Sequence, residues 1–329
     1  DYLLCLLVFA VAVIVYVVYG GFRAVVWTDV MQGFVMFVGV VLMLALALAQ
    51  VGGLARATHE LTEMTPPEFG TAVLTWDVPA EEGLVIRKGM WLEYGETAAK
   101  TTGLVEVPAG AVQAEVAVLV LTTEAEVARV AFSPLGGLPT GFAVSSVKDL
   151  KRYAYGAGQR GSYASAPGPH ANEVGGFVPL GVAFSLFIFW AFGTAGQPAN
   201  MVRLMAFRDT QTLRRAVVTV SIYFSVIYFS LVVIFCCGRV LLPGMENDSD
   251  RIMPELATHL TAAAGWPWLA GLLLAAPFAA VMSSVDSFLL MVSSSLVRDV
   301  YQRRINPSAS ERSLRRLAHL VTALTGAAA

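Results

Sequence analysis

Uncharged apolar runs alternate with polar connections along most of this chain. The runs are Leu3–Tyr19, Val30–Ala55, Val174–Val202, Ala216–Gly238, Leu260–Val285 and a last one beginning near Leu317. A hydrocarbon core about 30 Å thick needs roughly 20 helical residues to cross it, and most of these runs meet that length. Strands that span a membrane alternate in short segments instead, so the pattern predicts six transmembrane helices. Between the second and third runs the rhythm changes. Residues 52–173 carry short alternating or β-branched stretches: Gly83-Leu-Val-Ile-Arg-Lys88, Leu104-Val-Glu-Val107, the run from Ala114 to Thr122, and Val127-Ala-Arg-Val-Ala-Phe132. Pro66-Pro67, Pro108-Ala-Gly110 and Pro134-Leu-Gly-Gly137 punctuate them. That grammar predicts a small antiparallel β-rich insertion, with a linker over Tyr155–Pro169, where Gly, Ser, Ala and Pro dominate.

Composition agrees with a membrane chain. Of 329 residues, 56% are hydrophobic and 14% charged, whereas an average soluble domain carries roughly a quarter charged residues. Charge then orients the spans. Arg23 lies between the first two runs; Arg203, Arg208, Arg214 and Arg215 lie between the third and fourth; Arg298, Arg303, Arg304, Arg312, Arg315 and Arg316 follow the fifth. Alternate connections are therefore basic and are expected on the cytoplasmic side. The acidic connection with Glu246, Asp248, Asp250 and Glu255 is expected outside, as is the 52–173 insertion, which holds all four lysines. The first run lacks a basic start and a small-residue cleavage site, so it does not read as a signal peptide. Cys5, Cys236 and Cys237 all sit in apolar runs and read as packing residues. The chain begins at Asp1 and stops at Ala329 inside an apolar stretch, as though cut from a longer protein.

Three segments set polar chemistry on or beside these helices. In Tyr19-Gly-Gly-Phe-Arg-Ala-Val-Val-Trp-Thr-Asp29, the paired glycines allow a tight turn and Asp29 enters the next helix near its start. An intramembrane carboxylate costs roughly 2.5–3.5 kcal/mol, which a cation or proton offsets; the alternative is a carboxylate that caps the helix and faces its dipole. In Trp190-Ala-Phe-Gly-Thr-Ala-Gly-Gln-Pro198, two glycines, a glutamine and a proline weaken the helical ladder. Broken helices in lipid line cavities or pack in protein, and Trp190, Thr194 and Gln197 fall on one face at i, i+4 and i+7. In Ala279-Ala-Val-Met-Ser-Ser-Val-Asp-Ser287, Ala280, Ser283, Ser284 and Ser287 share a stripe with Asp286 on its edge. A hard cation takes several oxygens at short range, and two hydroxyls with a loosened Ala280 carbonyl form half of such a shell. Small residues also let helices approach closely, but that role needs no carboxylate.

In their order and spacing, Tyr19-Gly-Gly with Trp27-Thr-Asp29, Gly196-Gln-Pro198 with Arg203-Leu-Met-Ala206, and Ala280-Val-Met-Ser-Ser284 with Arg298-Asp-Val-Tyr301 resemble the sodium:solute symporter family, in its proline and pantothenate branch. The resemblance covers nearly all of the chain outside 52–172. It implies an all-α polytopic membrane protein with a LeuT-type inverted-repeat core, here incomplete. Residues 1–51 would hold core helices 4–5, and 174–329 core helices 6–8 and the start of 9. It further implies a sodium site at Ala280, Ser283 and Ser284, and a second one drawing on Asp29, Asp286 and Ser287. The solute side would use Trp190, Gly193, Thr194 and Gln197. Proline symporters carry a tyrosine where this chain has Thr194, which argues against proline.

The leading expectation is therefore sodium-coupled symport of a small organic solute in the cell membrane. Sodium is the coupling ion, the lipid bilayer the surroundings; no other cofactor and no nucleic acid are expected. A transporter-like sensor with a signalling domain after Ala329, or a degenerate structural subunit, are the alternatives. No HExxH, GxSxG or phosphate loop is present, and His59, His170, His259 and His319 are scattered without ligand spacing, so no enzyme is expected.

Overall fold

The computed structural model describes residues 2–78, 83–130, 141–193, 196–197, 201, 204–205 and 207–328. They fall into two compact units. One contains Asp1–Met43, Ile188–Ser230 and Trp266–Ala329; the other contains Leu44–Phe187 and Leu231–Gly265.

The first unit is helical. Helix α1 (Tyr2–Val51) is interrupted at Gly21, where φ 57° and ψ −162° leave the helical region. It yields two apolar spans, Leu3–Gly21 and Arg23–Val51. The two glycines do different work at the interruption. A Cβ on Gly20 would fall 2.2 Å from that of Ala24, whereas one on Gly21 would meet nothing; Gly21 is needed for its backbone angles alone. The other helices to which this unit contributes are α4 (Leu180–Ile188), its π-helical continuation Phe189–Gly193, α5 (Thr210–Leu241), α7 (Leu269–Ser294), a π-helical extension Ser295–Ile305, and α8 (Glu311–Ala328). Val13, Val17, Val25 and Leu289 form its buried cluster. The second span approaches α7 closely, since a Cβ on Gly39 would lie 2.8 Å from that of Ala276, the small-residue contact that suits helices in lipid.

Among the described residues, four helices are long and apolar enough to cross a membrane: the two α1 spans, Thr210–Leu241 and Leu269–Ile305; Leu180–Gly193 is shorter. Two of the six sequence runs thus change shape. Of the third run, the described helical stretch is Leu180–Gly193, and residues 194–195 and 198–200 lie outside the described residues. The fifth, Leu260–Val285, is divided into α6 (Ile252–Ala263) and α7 by a turn through Gly265, at φ 77°. The sixth begins earlier, at Glu311, and carries Arg312, Arg315, Arg316 and His319 along one helix.

The second unit is built on a five-stranded antiparallel sheet of order β3-β4-β6-β1-β7. Its strands are β1 (Glu68–Thr75), β3 (Trp91–Tyr94), β4 (Thr97–Thr101), β6 (Gln113–Val120) and β7 (Ala143–Lys151); β2 (Leu84–Ile86) and β5 (Val105–Val107) pair separately. From Gln113 to Val118 strand β6 alternates exposed and buried residues, as one solvated and one packed face require. Leu74, Ile86, Leu92, Val116 and Val118 fill the core beneath it. Helix α2 (Leu54–Glu63) and the short α3 (Glu124–Val127) complete the unit with α6.

Two sequence expectations need correction here. The stretch starting at Val127 is no strand: Val127 ends α3, and 131–132 lie outside the described residues. Six residues of weak alternation cannot outweigh a helix start with Glu124 and Glu126 in its first turn, which favours the positive end of the helix dipole. The Tyr155–Pro169 segment is no slack linker either. Tyr155 bridges to His170, and the guanidinium of Arg239 lies 3.6 Å over the ring of Tyr163. Arg239 also pairs with Glu246, and Glu126 is buried nearby with neither carboxylate oxygen in a hydrogen bond of good geometry. Burial pushes the Glu126 carboxyl up to about 7 and the Tyr153 phenol up to about 12.

Candidate functional site

The polar residues of α7 meet the two α1 spans inside the helical unit. Ser283 Oγ donates to Asp29 Oδ1 at 2.5 Å across 254 residues of sequence. Three residues on, Asp286 is wholly buried and accepts a hydrogen bond from the Tyr16 hydroxyl. The Gln32 side chain lies against that same hydroxyl. Tyr16 and Asp29 are thirteen residues apart, which in unbroken helix is about 20 Å. They reach neighbouring positions of α7 because the chain turns at Gly21. The turn therefore builds the cluster, and glycine at that φ and ψ permits the turn.

Ser284 and Ser287 point their protons inward along α7. Ser284 Oγ donates to the Ala280 carbonyl at 3.2 Å, and Ser287 Oγ to the Ser283 carbonyl at 2.7 Å. All three hydroxyls thus direct their single donor at an oxygen. The Ala280 carbonyl, expected to be loosened, is instead held by Ser284. Pro277 lies inside α7 and has no N–H for the carbonyl four residues earlier, so the helix loosens at Leu273.

Of the residues expected to form sodium sites, the structure joins Asp29 with Ser283 directly and sets Asp286, Ser287, Ala280 and Ser284 on the adjoining turns of α7. Tyr16 is the member that sequence reasoning missed. A lone tyrosine in an apolar run reads as core, and nothing local marks it; only the carboxylate it meets 270 residues later gives it a role.

Of the expected solute-side residues, Trp190 and Gly193 lie in the π-helical stretch Phe189–Gly193, Gln197 is not helical, and Thr194 lies outside the described residues. Trp190 sits in the π-helical turn, its ring edge-on to Phe189 at 5.8 Å. The π-helical stretch that holds Trp190 and Gly193 does not keep the 3.6-residue period on which the expected face depended.

A family model described as the sodium:solute symporter family matches residues 1–90 and 175–329. Residues 91–174, with strands β3 to β7, lie outside that match. The chain is similar to the sodium/pantothenate symporter of Haemophilus influenzae, 25% identical over 301 residues, covering 92% of this chain and 40% of the relative. It is also similar to the sodium/proline symporter of Salmonella typhimurium, 32% identical over 146 residues, 40% of this chain and 27% of the relative. The high-affinity proline transporter of Bacillus subtilis is 33% identical over 146 residues, 41% of this chain and 28% of the relative. The chain thus spans two-fifths or less of the length of these relatives. No solved structure matches it significantly.

Proposed function

The chain belongs to the sodium:solute symporter family, and from that premise we propose that its protein carries a small organic solute across the membrane together with sodium, by alternating access. The solute is a pantothenate-like carboxylate, an amino acid or a sugar, and Trp190, Gly193, Thr194 and Gln197 face it. The Ala280 carbonyl with the Ser283 and Ser284 hydroxyls forms part of one sodium shell, and Asp29, Asp286 and Ser287 serve a second ion. One observation carries this reading: Asp29 and Ser283, from motifs at opposite ends of the chain, meet at 2.5 Å within apolar spans. A carboxylate there costs energy that a cation returns.

Ser283 Oγ donates a hydrogen bond to Asp29. Sodium takes up the hydroxyl lone pairs and the carboxylate charge, and it ties the second α1 span to α7. Helix elements so tied are the ones whose separation opens a transporter to one side. The driving force suffices: a charge crossing 100 mV gains ~2.3 kcal/mol, and a tenfold sodium gradient adds ~1.4 kcal/mol.

The test is uptake of labelled pantothenate, proline and glucose by the full-length protein in proteoliposomes, with and without a sodium gradient. Wild type takes up one of them in a sodium-dependent manner. Ser283→Ala and Asp29→Asn each lower that uptake at limiting sodium by about tenfold, the worth of one charge-assisted hydrogen bond. Uptake indifferent to sodium and to both substitutions defeats the proposal.

A further inference from the structure

The helical unit also contains a cavity of about 410 Å3 that the transport reading does not use. It lies between the end of the first span, α7 with its π-helical extension, and α8. Val17, Val18, Leu290 and Val297 give it an aliphatic floor, while Arg298 and Arg315 stand among its lining residues. We propose that this cavity holds the phosphate headgroup of an anionic phospholipid, with the glycerol and upper acyl carbons against the aliphatic floor.

The position along each helix supports this. The first span runs apolar to Gly21 and meets Arg23 two residues on; α7 runs without a basic residue to Ser294, and the extension then brings Arg298, Arg303 and Arg304. The cavity therefore sits at the depth where hydrocarbon gives way to headgroups. From Arg298 to Arg316 six arginines face two acids, Asp299 and Glu311, an excess that marks the side of the membrane whose leaflet is anionic. Guanidinium groups match phosphate oxygens in a planar fork. Arg298 shows that geometry, its two terminal nitrogens each 3.2 Å from an oxygen of Glu311. That pair is long and solvent-exposed, 50% and 73% at the two side chains, so it is weak and a phosphate can replace it. Arg315 has no acidic partner among the described residues. Arginines set between membrane helices above an apolar floor are the recognised form of a lipid-headgroup site; inorganic phosphate would gain nothing from the floor. Val297 and Arg298, both lining the cavity, lie in the π-helical stretch Ser295–Ile305, a form that recurs at functional positions.

The experiment is native mass spectrometry of the full-length protein in mild detergent, titrated with phosphatidylglycerol or phosphatidylcholine. Wild type retains phosphatidylglycerol in preference. Arg298→Gln combined with Arg315→Gln lowers that preference by about 25-fold, taking about fivefold for each arginine. Arg303→Gln with Arg304→Gln, on the same segment but outside the cavity, leaves it unchanged. Glu311→Gln removes the competing carboxylate and raises retention, which keeps the test decisive if the double arginine variant folds poorly. Equal retention across all variants overturns the proposal. Displacement of the lipid by millimolar inorganic phosphate overturns it as well, since the site would then serve a free anion. Neither result bears on sodium-coupled uptake, which is read separately.

Discussion

At the scale of single residues, the cluster around α7 rests on matched donors and acceptors. Asp286 is fully buried, and a buried carboxylate that loses a donor bears the desolvation it had offset. Tyr16→Phe removes only the hydroxyl that meets Asp286 and keeps the ring in the Val13, Val17 and Leu289 cluster. We expect it to leave folding intact and to raise the sodium concentration for half-maximal uptake by roughly tenfold, with little change in solute half-saturation at saturating sodium. Uptake kinetics at varied sodium check this, and an unchanged sodium dependence removes Tyr16 from the site. The sequence made Asp29, Ser283, Asp286 and Ser287 legible because carboxylates and hydroxyl stripes are uncommon in apolar runs. It could not pair them: that Asp29 meets Ser283 while Asp286 meets Tyr16 depends on how far the two spans slide before the turn at Gly21.

At the scale of elements, helices and strands were legible to different degrees for physical reasons. The α1 and α5 spans are predominantly apolar over lengths that a membrane helix requires. The strands Trp91–Tyr94 and Thr97–Thr101 carry Glu93 and Lys100 and give no clean alternation, so neighbouring strands rather than their own sequence define them. The Tyr155–Pro169 segment reads as a linker by composition, yet it is anchored because Tyr163 receives Arg239. That buried neighbourhood has a pH signature. Burial raises the Glu126 carboxyl from 4.5 to about 7, with Glu246 adding to the rise and Thr123 and Arg239 opposing it. The folded chain thus holds this proton more tightly than the unfolded chain. Stability from this group is fully present below about pH 4.5, declines as pH rises towards 7, and is level above, a loss of about 3 kcal/mol at most. Glu126→Gln keeps the neutral shape and removes that slope. Thermal unfolding of both forms between pH 5 and 8 should show near-equal stability at pH 5 and a more stable variant at pH 8; parallel curves would mean the carboxyl is ionised throughout.

At the scale of the whole molecule, the proposed symport raises the question of how many ions would cross with each solute, and the candidate site makes a quantitative answer possible. If Ala280, Ser283 and Ser284 serve one sodium and Asp29, Asp286 and Ser287 a second, the cycle carries two. With the membrane voltage clamped at zero, the solute ratio at zero net flux follows the sodium ratio raised to the number of coupled ions. A tenfold sodium gradient then holds about a hundredfold solute gradient for two ions and about tenfold for one, each ion supplying ~1.4 kcal/mol. We expect about a hundredfold for the wild type of the full-length protein. Asp286→Asn keeps a polar side chain facing Tyr16 but gives up the charge that the second ion answers, so it should fall towards tenfold while transport continues. Voltage then separates solute classes. A neutral solute with two ions moves two charges, and a carboxylate moves one, so the slope of the ratio against imposed voltage reads the solute's charge from the same vesicles. A wild-type ratio near tenfold at zero voltage would confine sodium to one site and leave Asp286 and Tyr16 a structural pair.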